Sequence, residues 1–162
     1  MQITIGFSKH KGFAPMSNAI RWYLGTPFSH CYIKIKLDEF NDSSVLHAIG
    51  KGVVIMSYNN FLTQAESIKE FDLEISEDLY KEICDDFHKL AGVTKYGFGQ
   101  NIGILIARSL KLKKNPIDDG VNCSEWAAYC LEEIDPEMWN SKEEDFNLIT
   151  PLEVFNYLKD NI

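Results

Sequence analysis

The hydrophobic period of this chain changes once, near residue 76, and that change restricts the fold more than any other feature. Before it, apolar residues mostly alternate as they do in strands. After it, they recur at helical spacing. Residues 2–7 (QITIGF) alternate, and residues 8–15 (SKHKGFAP) read as a loop. Ser17 is placed to cap a short helix over 17–24, which Gly25-Thr26-Pro27 would stop. In residues 30–37 (HCYIKIKL), Cys31, Ile33, Ile35 and Leu37 share one face, while His30, Tyr32, Lys34 and Lys36 share the other. Residues 41–44 (NDSS) form a turn cluster. VLHAIG and GVVIMSY follow as two strands separated by Gly50-Lys51-Gly52, and FDLEI at 71–75 is a fifth.

Ser76 then opens the helical half as an N-cap, with Glu77 and Asp78 in the first turn. Leu79, Ile83, Phe87 and Leu90 mark its apolar stripe. Residues 98–110 predict another helix, in which Gly99 and Gly103 cost stability but allow a close backbone approach. Residues 111–120 are a polar loop. From Cys123, the positions Trp126, Ala127, Cys130, Leu131 and Ile134 form an amphipathic stripe, so a helix starts at Cys123. Thr150-Pro151-Leu152-Glu153 carries a cap, a proline at the first helical position and a capping-box glutamate. Strands followed by helices predict an α+β domain, in which an antiparallel sheet or partial barrel of about five strands packs on helices. No linker or repeat divides the chain, so residues 1–162 are expected to form one domain.

With 45% hydrophobic and 25% charged residues, the chain has the composition of a globular protein. A net charge of −8 argues against a generally basic nucleic-acid surface. The charge is uneven. Residues 1–36 hold Lys9, Lys11, Arg21, Lys34 and Lys36 and no acid, leaving 11 basic and 24 acidic residues in the remainder. Such a patch could guide an anionic substrate, although a solvated face is the commoner use of such charges. No transmembrane segment is expected, and MQITIGF lacks a basic n-region and a small-residue cleavage site, so a cytoplasmic location is expected. The four cysteines, at 31, 84, 123 and 130, have neither C-x-x-C spacing nor a paired framework, and reduced thiols are the default.

A cysteine nucleophile acts as its thiolate, which a helix N-terminus and a nearby imidazolium both stabilise. Cys123 opens a helix on its apolar face. His30 begins a strand, and His47 lies within the next; if the two strands pair antiparallel, the histidines can come side by side, one as base and one as its orienter. The blander reading treats each strand histidine as structural. Cys31, Cys84 and Cys130 read as small buried hydrophobes, and His10 and His88 as surface residues.

Three segments resemble the circularly permuted NlpC-type papain-like enzymes, including the YiiX/YaeF-like hydrolases and the lecithin–retinol acyltransferase relatives. Thr26-Pro27-Phe28-Ser29-His30-Cys31-Tyr32-Ile33 is similar to the family's T-x-x-S-H-x-x-I motif. The stretch from Val45 through His47 to Gly52-Val53 is similar to its second strand pair, and Asn122-Cys123-Ser124-Glu125 to its C-S-E nucleophile motif. The resemblance spans roughly residues 3–155. It implies a permuted papain-like fold with Cys123 as nucleophile, His30 as base and His47 as the third residue. Permuted members often have glutamate at the third position; a histidine there orients the base without adding negative charge.

The activity implied is cleavage of an amide, isopeptide or ester bond in a peptide-like or acyl substrate, through a Cys123 thioester and without a cofactor. The backbone N–H of Cys123 would hold the oxyanion, with Tyr96 or Ser29 as a second donor. Ser124 and Glu125 would support the local structure. Thiol-dependent acyl transfer to a lipid or amine acceptor is an alternative. An inactive binding or structural module is another, and a zinc centre of His30, His47 and Cys123 a further rival. NlpC-type relatives cleave peptidoglycan peptides. A phage-encoded protein released at lysis would reach such a substrate without a signal peptide.

Overall fold

The computed structural model describes residues 1–36, 43–49, 52–92, 97–117, 120–136 and 146–162. The expected turn at 41–44 and the Gly50-Lys51 connection therefore fall wholly or partly outside the described residues, as do Leu37, Tyr96 and the side chain of Leu90. The described chain is α+β, an open five-stranded sheet with six helices.

The strands are β1 (Gln2–His10), β2 (His30–Lys36), β3 (Ser43–Ile49), β4 (Gly52–Ser57) and β5 (Ala65–Glu74). They lie in the order β4-β3-β2-β1-β5, and every neighbouring pair is antiparallel. The helices are α1 (Pro15–Leu24), α2 (Tyr58–Gln64), α3 (Glu77–Leu90), α4 (Phe98–Leu110), α5 (Cys123–Ile134) and α6 (Pro151–Asn161).

Alternation along the strands divides the core into two layers. On one face, Ile3, Ile33, Ile35, Leu46, Ala48 and Val53 pack with Tyr80, Ile83 and Phe87 of α3 and Trp126 and Cys130 of α5. Beside them, Ile5, Phe7 and Cys31 meet Cys123, Ala127 and Leu131 of α5 and Val154 and Leu158 of α6. On the opposite face, Tyr32 and Val45 pack against Phe61 of α2 and Ala65. The split between Cys31, Ile33 and Ile35 on one side and Tyr32 on the other follows the alternation.

Several boundaries differ from the sequence expectation. β1 runs on to His10 through residues expected to be loop, because β5 begins at Ala65 rather than at 71 and pairs with β1 as far as His10↔Ala65. The cap of α1 is Ala14, with Pro15 at the helix start, and not Ser17; the Ser17 hydroxyl bonds to that of Ser29 instead. Gly25 ends α1 in the left-handed conformation, at φ 65°, as its position suggested. α2 is an element the period did not indicate. Its cap, Ser57, accepts from the Asn60 N–H, and β4 stops there. At Gly103 the close approach is real, since a Cβ there would collide with Asn115 Oδ1.

One packing contact gives a direct prediction. A Cβ on Gly6 would fall inside the Tyr32 ring. That ring cannot give way, because it is 1% exposed and its hydroxyl is tied to Ser67 and Glu70. Gly6→Ala is expected to destabilise the fold by about 2 kcal/mol through overpacking, measured by urea unfolding. An unchanged midpoint would show that Tyr32 has room to move.

Candidate active site

α5 begins at Cys123 because Asn122 caps it. The Asn122 side chain accepts from the N–H groups of Ser124 and Glu125, each at 2.9 Å, and the Glu125 carboxylate accepts the Asn122 N–H at 3.3 Å. This is a capping box. Gln100 Nε2 donates to the same carboxylate at 3.0 Å, which fixes a buried acid beside the helix start. The Trp126 amide bonds to the Asn122 carbonyl. Cys123 is then left as the one amide of the first turn with no partner among the described residues.

β2 delivers the imidazole. The β2–β3 register, Ile33↔Leu46, continues one residue on to place His47 opposite Tyr32 and on the face of His30. His30 Nε2 lies 3.0 Å from His47 Nδ1. That leaves Nδ1 as the other nitrogen of His30, and His30 and Cys31 both act on the Cys123 thiol. The structure thus brings together Cys123, His30 and His47, the three residues expected to share a site, and adds Cys31 to them. Cys31 had read as core. It is core, but it shares a buried cluster with Cys123.

The local electrostatics separate these groups. The Cys123 thiol is held well below its ordinary value. The hydrogen bond with Cys31 contributes most, burial opposes it, and the charge and hydrogen bond of His30 add to the lowering. Burial pushes the Cys31 thiol well up, and the neighbouring Cys123 adds to that. His47 is 5% exposed, with its ring edge-on to Phe61 at 5.4 Å. Burial first, and then the His30 charge, push its pKa down to about 3. His47 is thus a neutral partner for His30 at physiological pH.

A cavity of about 440 Å³ lies on the α2 face of the sheet, lined by Met16, Ser29, His30, His47 and Phe61 among others. Cys123 does not line it and is itself 5% exposed, so His30 is the residue shared by the cavity and the thiol. A smaller cleft of about 20 Å³ between α1, α4 and the start of α6 includes Ser29 and Ser124. Ser29, expected as an oxyanion donor, is hydrogen-bonded to Ser17. The Ser124 hydroxyl lies 2.8 Å from Asn122 Oδ1 and 2.7 Å from the Ile149 carbonyl, tying α5 to the segment before α6. Tyr96, the other expected donor, lies outside the described residues. Among the described residues, no group of three His, Cys, Asp or Glu side chains is arranged to hold a metal ion.

Asn122 escaped the sequence reading, although Asn122-x-x-Glu125 is a capping-box spacing that could have revealed it. Phe61 had no such signal. Of the five basic residues in 1–36, Lys9 and Lys34 are ion-paired with Glu66 and Glu70, which reduces the free positive charge of that stretch. No described helix is long and apolar enough to cross a membrane. No family model matches the chain, and no curated protein matches it significantly.

Proposed function

We propose that the chain is a cysteine hydrolase of the permuted NlpC-type papain-like kind, cleaving an amide, isopeptide or ester bond through a Cys123 thioester. The observation that carries this reading is the conjunction at Cys123. A thiol at the first position of a capped helix meets a histidine whose other nitrogen is held by a second, neutral histidine. The helix start and the histidine favour the thiolate, and the second histidine fixes the ring of the first.

In the resting site, His30 holds the proton on Nδ1, and its Nε2–H donates to His47 Nδ1. The thiolate attacks the acyl carbonyl. The Cys123 N–H receives the oxyanion, and Asn122 Nδ2, buried and without a partner among the described residues, is a second donor next to it. His30 then gives its proton to the leaving amine or alkoxide. Water, activated by the neutral His30, attacks the thioester and restores the thiolate. The apolar lining of the cavity beside His30 suits an uncharged acyl or side-chain group better than an anion.

The test is alkylation by iodoacetamide across a pH series, read by peptide mass spectrometry, on the wild type and His30→Ala. Cys123 is expected to label faster than Cys31, Cys84 and Cys130 below pH ~7, and His30→Ala is expected to slow it by at least about tenfold. Equal labelling of all four native cysteines would sink the ion pair and favour the inactive-module reading.

A further inference from the structure

Cys31 has no task in that reaction, yet it is placed as if it had one. It follows His30 directly in β2, and alternation turns it to the opposite face, where α5 crosses. Both residues belong to one buried cluster with Ile5, Phe7 and Phe28, close enough for each thiol to shift the titration of the other. Both cysteines are free thiols, held by two different elements. A core that needed only volume at position 31 would be served by alanine or valine without a second sulfur against the first.

We propose that Cys31 is the resolving cysteine for oxidation of Cys123, so that a hydroperoxide converts the pair into a reversible Cys31–Cys123 disulfide. In the first step the Cys123 thiolate attacks one peroxide oxygen. The O–O bond breaks, hydroxide leaves as water after taking a proton from His30, and the sulfur is oxidised by two electrons to a sulfenic acid. In the second step the Cys31 sulfur attacks the sulfenic sulfur. The S–O bond breaks, and hydroxide leaves with the Cys31 proton as a second water. Two thiols and one hydrogen peroxide thus give one disulfide and two waters. Hydrogen peroxide is close to water in size, which suits a residue 5% exposed. The disulfide would join β2 to the N-terminus of α5 and remove the nucleophile. Excess thiol would restore both groups by exchange.

The inference uses the contact between two sulfurs and the thiolate at Cys123, not turnover of any acyl substrate, so it can stand or fall apart from the hydrolase reading. The experiment treats reduced wild-type protein and Cys31→Ala with hydrogen peroxide, blocks remaining thiols with iodoacetamide, and digests with chymotrypsin without reductant. Cleavage at Trp126 and Tyr129 separates Cys123 from Cys130. The wild type is expected to yield a Cys31–Cys123 linked peptide that dithiothreitol dissolves, while Cys84 and Cys130 stay alkylated. Cys31→Ala also removes the largest contribution to the Cys123 thiolate, so it is expected to oxidise more slowly but to carry Cys123 on to the sulfinic acid, a gain of about 32 Da that dithiothreitol does not reverse. Cys31→Ser, which keeps a hydroxyl donor at that position, is expected to reach the same product faster than the alanine variant. Wild-type Cys123 reaching the sulfinic acid while Cys31 is still alkylated would overturn the proposal, as would a disulfide through Cys84 or Cys130, or no oxidation of Cys123 at all.

Discussion

Replacing Cys123 with serine is expected to lower turnover of an activated acyl ester by at least about 10³-fold while leaving the fold intact. The size of the loss follows from the third residue. In a serine triad an anionic carboxylate stabilises the imidazolium that forms as the hydroxyl loses its proton. Here the residue behind His30 is His47, which is neutral because burial holds its pKa near 3. A neutral orienter fixes the ring but does little to stabilise its positive charge. Such a site can run only with a nucleophile that is already acidic, and Cys123 is made so by Cys31 and His30. A hydroxyl at position 123 would keep its proton. The measurement is release of nitrophenol from a short-chain nitrophenyl ester, with near-ultraviolet circular dichroism as the check on folding. A serine variant retaining a tenth of wild-type turnover would place the chemistry elsewhere.

The same neutral histidine makes the protein acid-labile. The ordinary value for histidine is ~6.5, and that of folded His47 is about 3. Between these values the unfolded chain binds a proton that the folded chain refuses, so stability rises with pH in this window and is lost as pH falls through it. Above pH ~6.5 there is no such loss, and below pH ~3 it is complete. The full difference is on the order of 4 kcal/mol, a large share of the stability of a domain this size. Glu70 works in the same direction only lower down. Burial raises its carboxyl, but hydrogen bonds from Lys34, Tyr32 and Tyr58 outweigh that and bring it below its usual value. Its contribution is therefore present above the ordinary carboxylate range and lost beneath it. The informative interval is pH ~4.5 to ~6.5. Over it, urea midpoints of the wild type should fall steadily with acidification. His47→Asn, which keeps a polar partner for His30 Nε2 but does not titrate there, should flatten the profile. Parallel slopes for the two proteins would show that His47 is not the group responsible.

Legibility of the sequence followed locality. β2, β3, α4, the start of α5 and the capping box of α6 could all be read because their periods and caps lie within a few residues of each other. The full length of β5 could not, since residues 65–70 become strand by pairing with residues 6–10 of β1, between 55 and 64 positions away. α2 has seven residues, too few to establish a helical period, and only Phe61 of them is buried. At the site, His30, His47 and Cys123 could be chosen by residue type and position. Cys31 could not be joined to them, because its partner is set by where α5 crosses β2, a matter of tertiary packing. The three-residue spacing from Asn122 to Glu125 was legible all the same.

The strand order has a consequence for how the molecule is made. β1 lies between β2 and β5, so Ile3 must wait for Leu73, far along the chain, to complete its pairing. The helix that closes the core over β2 begins only at Cys123. A nascent chain therefore carries both histidines long before it has the thiol, and its half-built sheet has one apolar face open throughout. Such long-range contacts place folding among the slower topologies. During synthesis the exposed sheet is a target for chaperones and for its own copies, and the Cys123 thiol joins the site only after all five strands have been made.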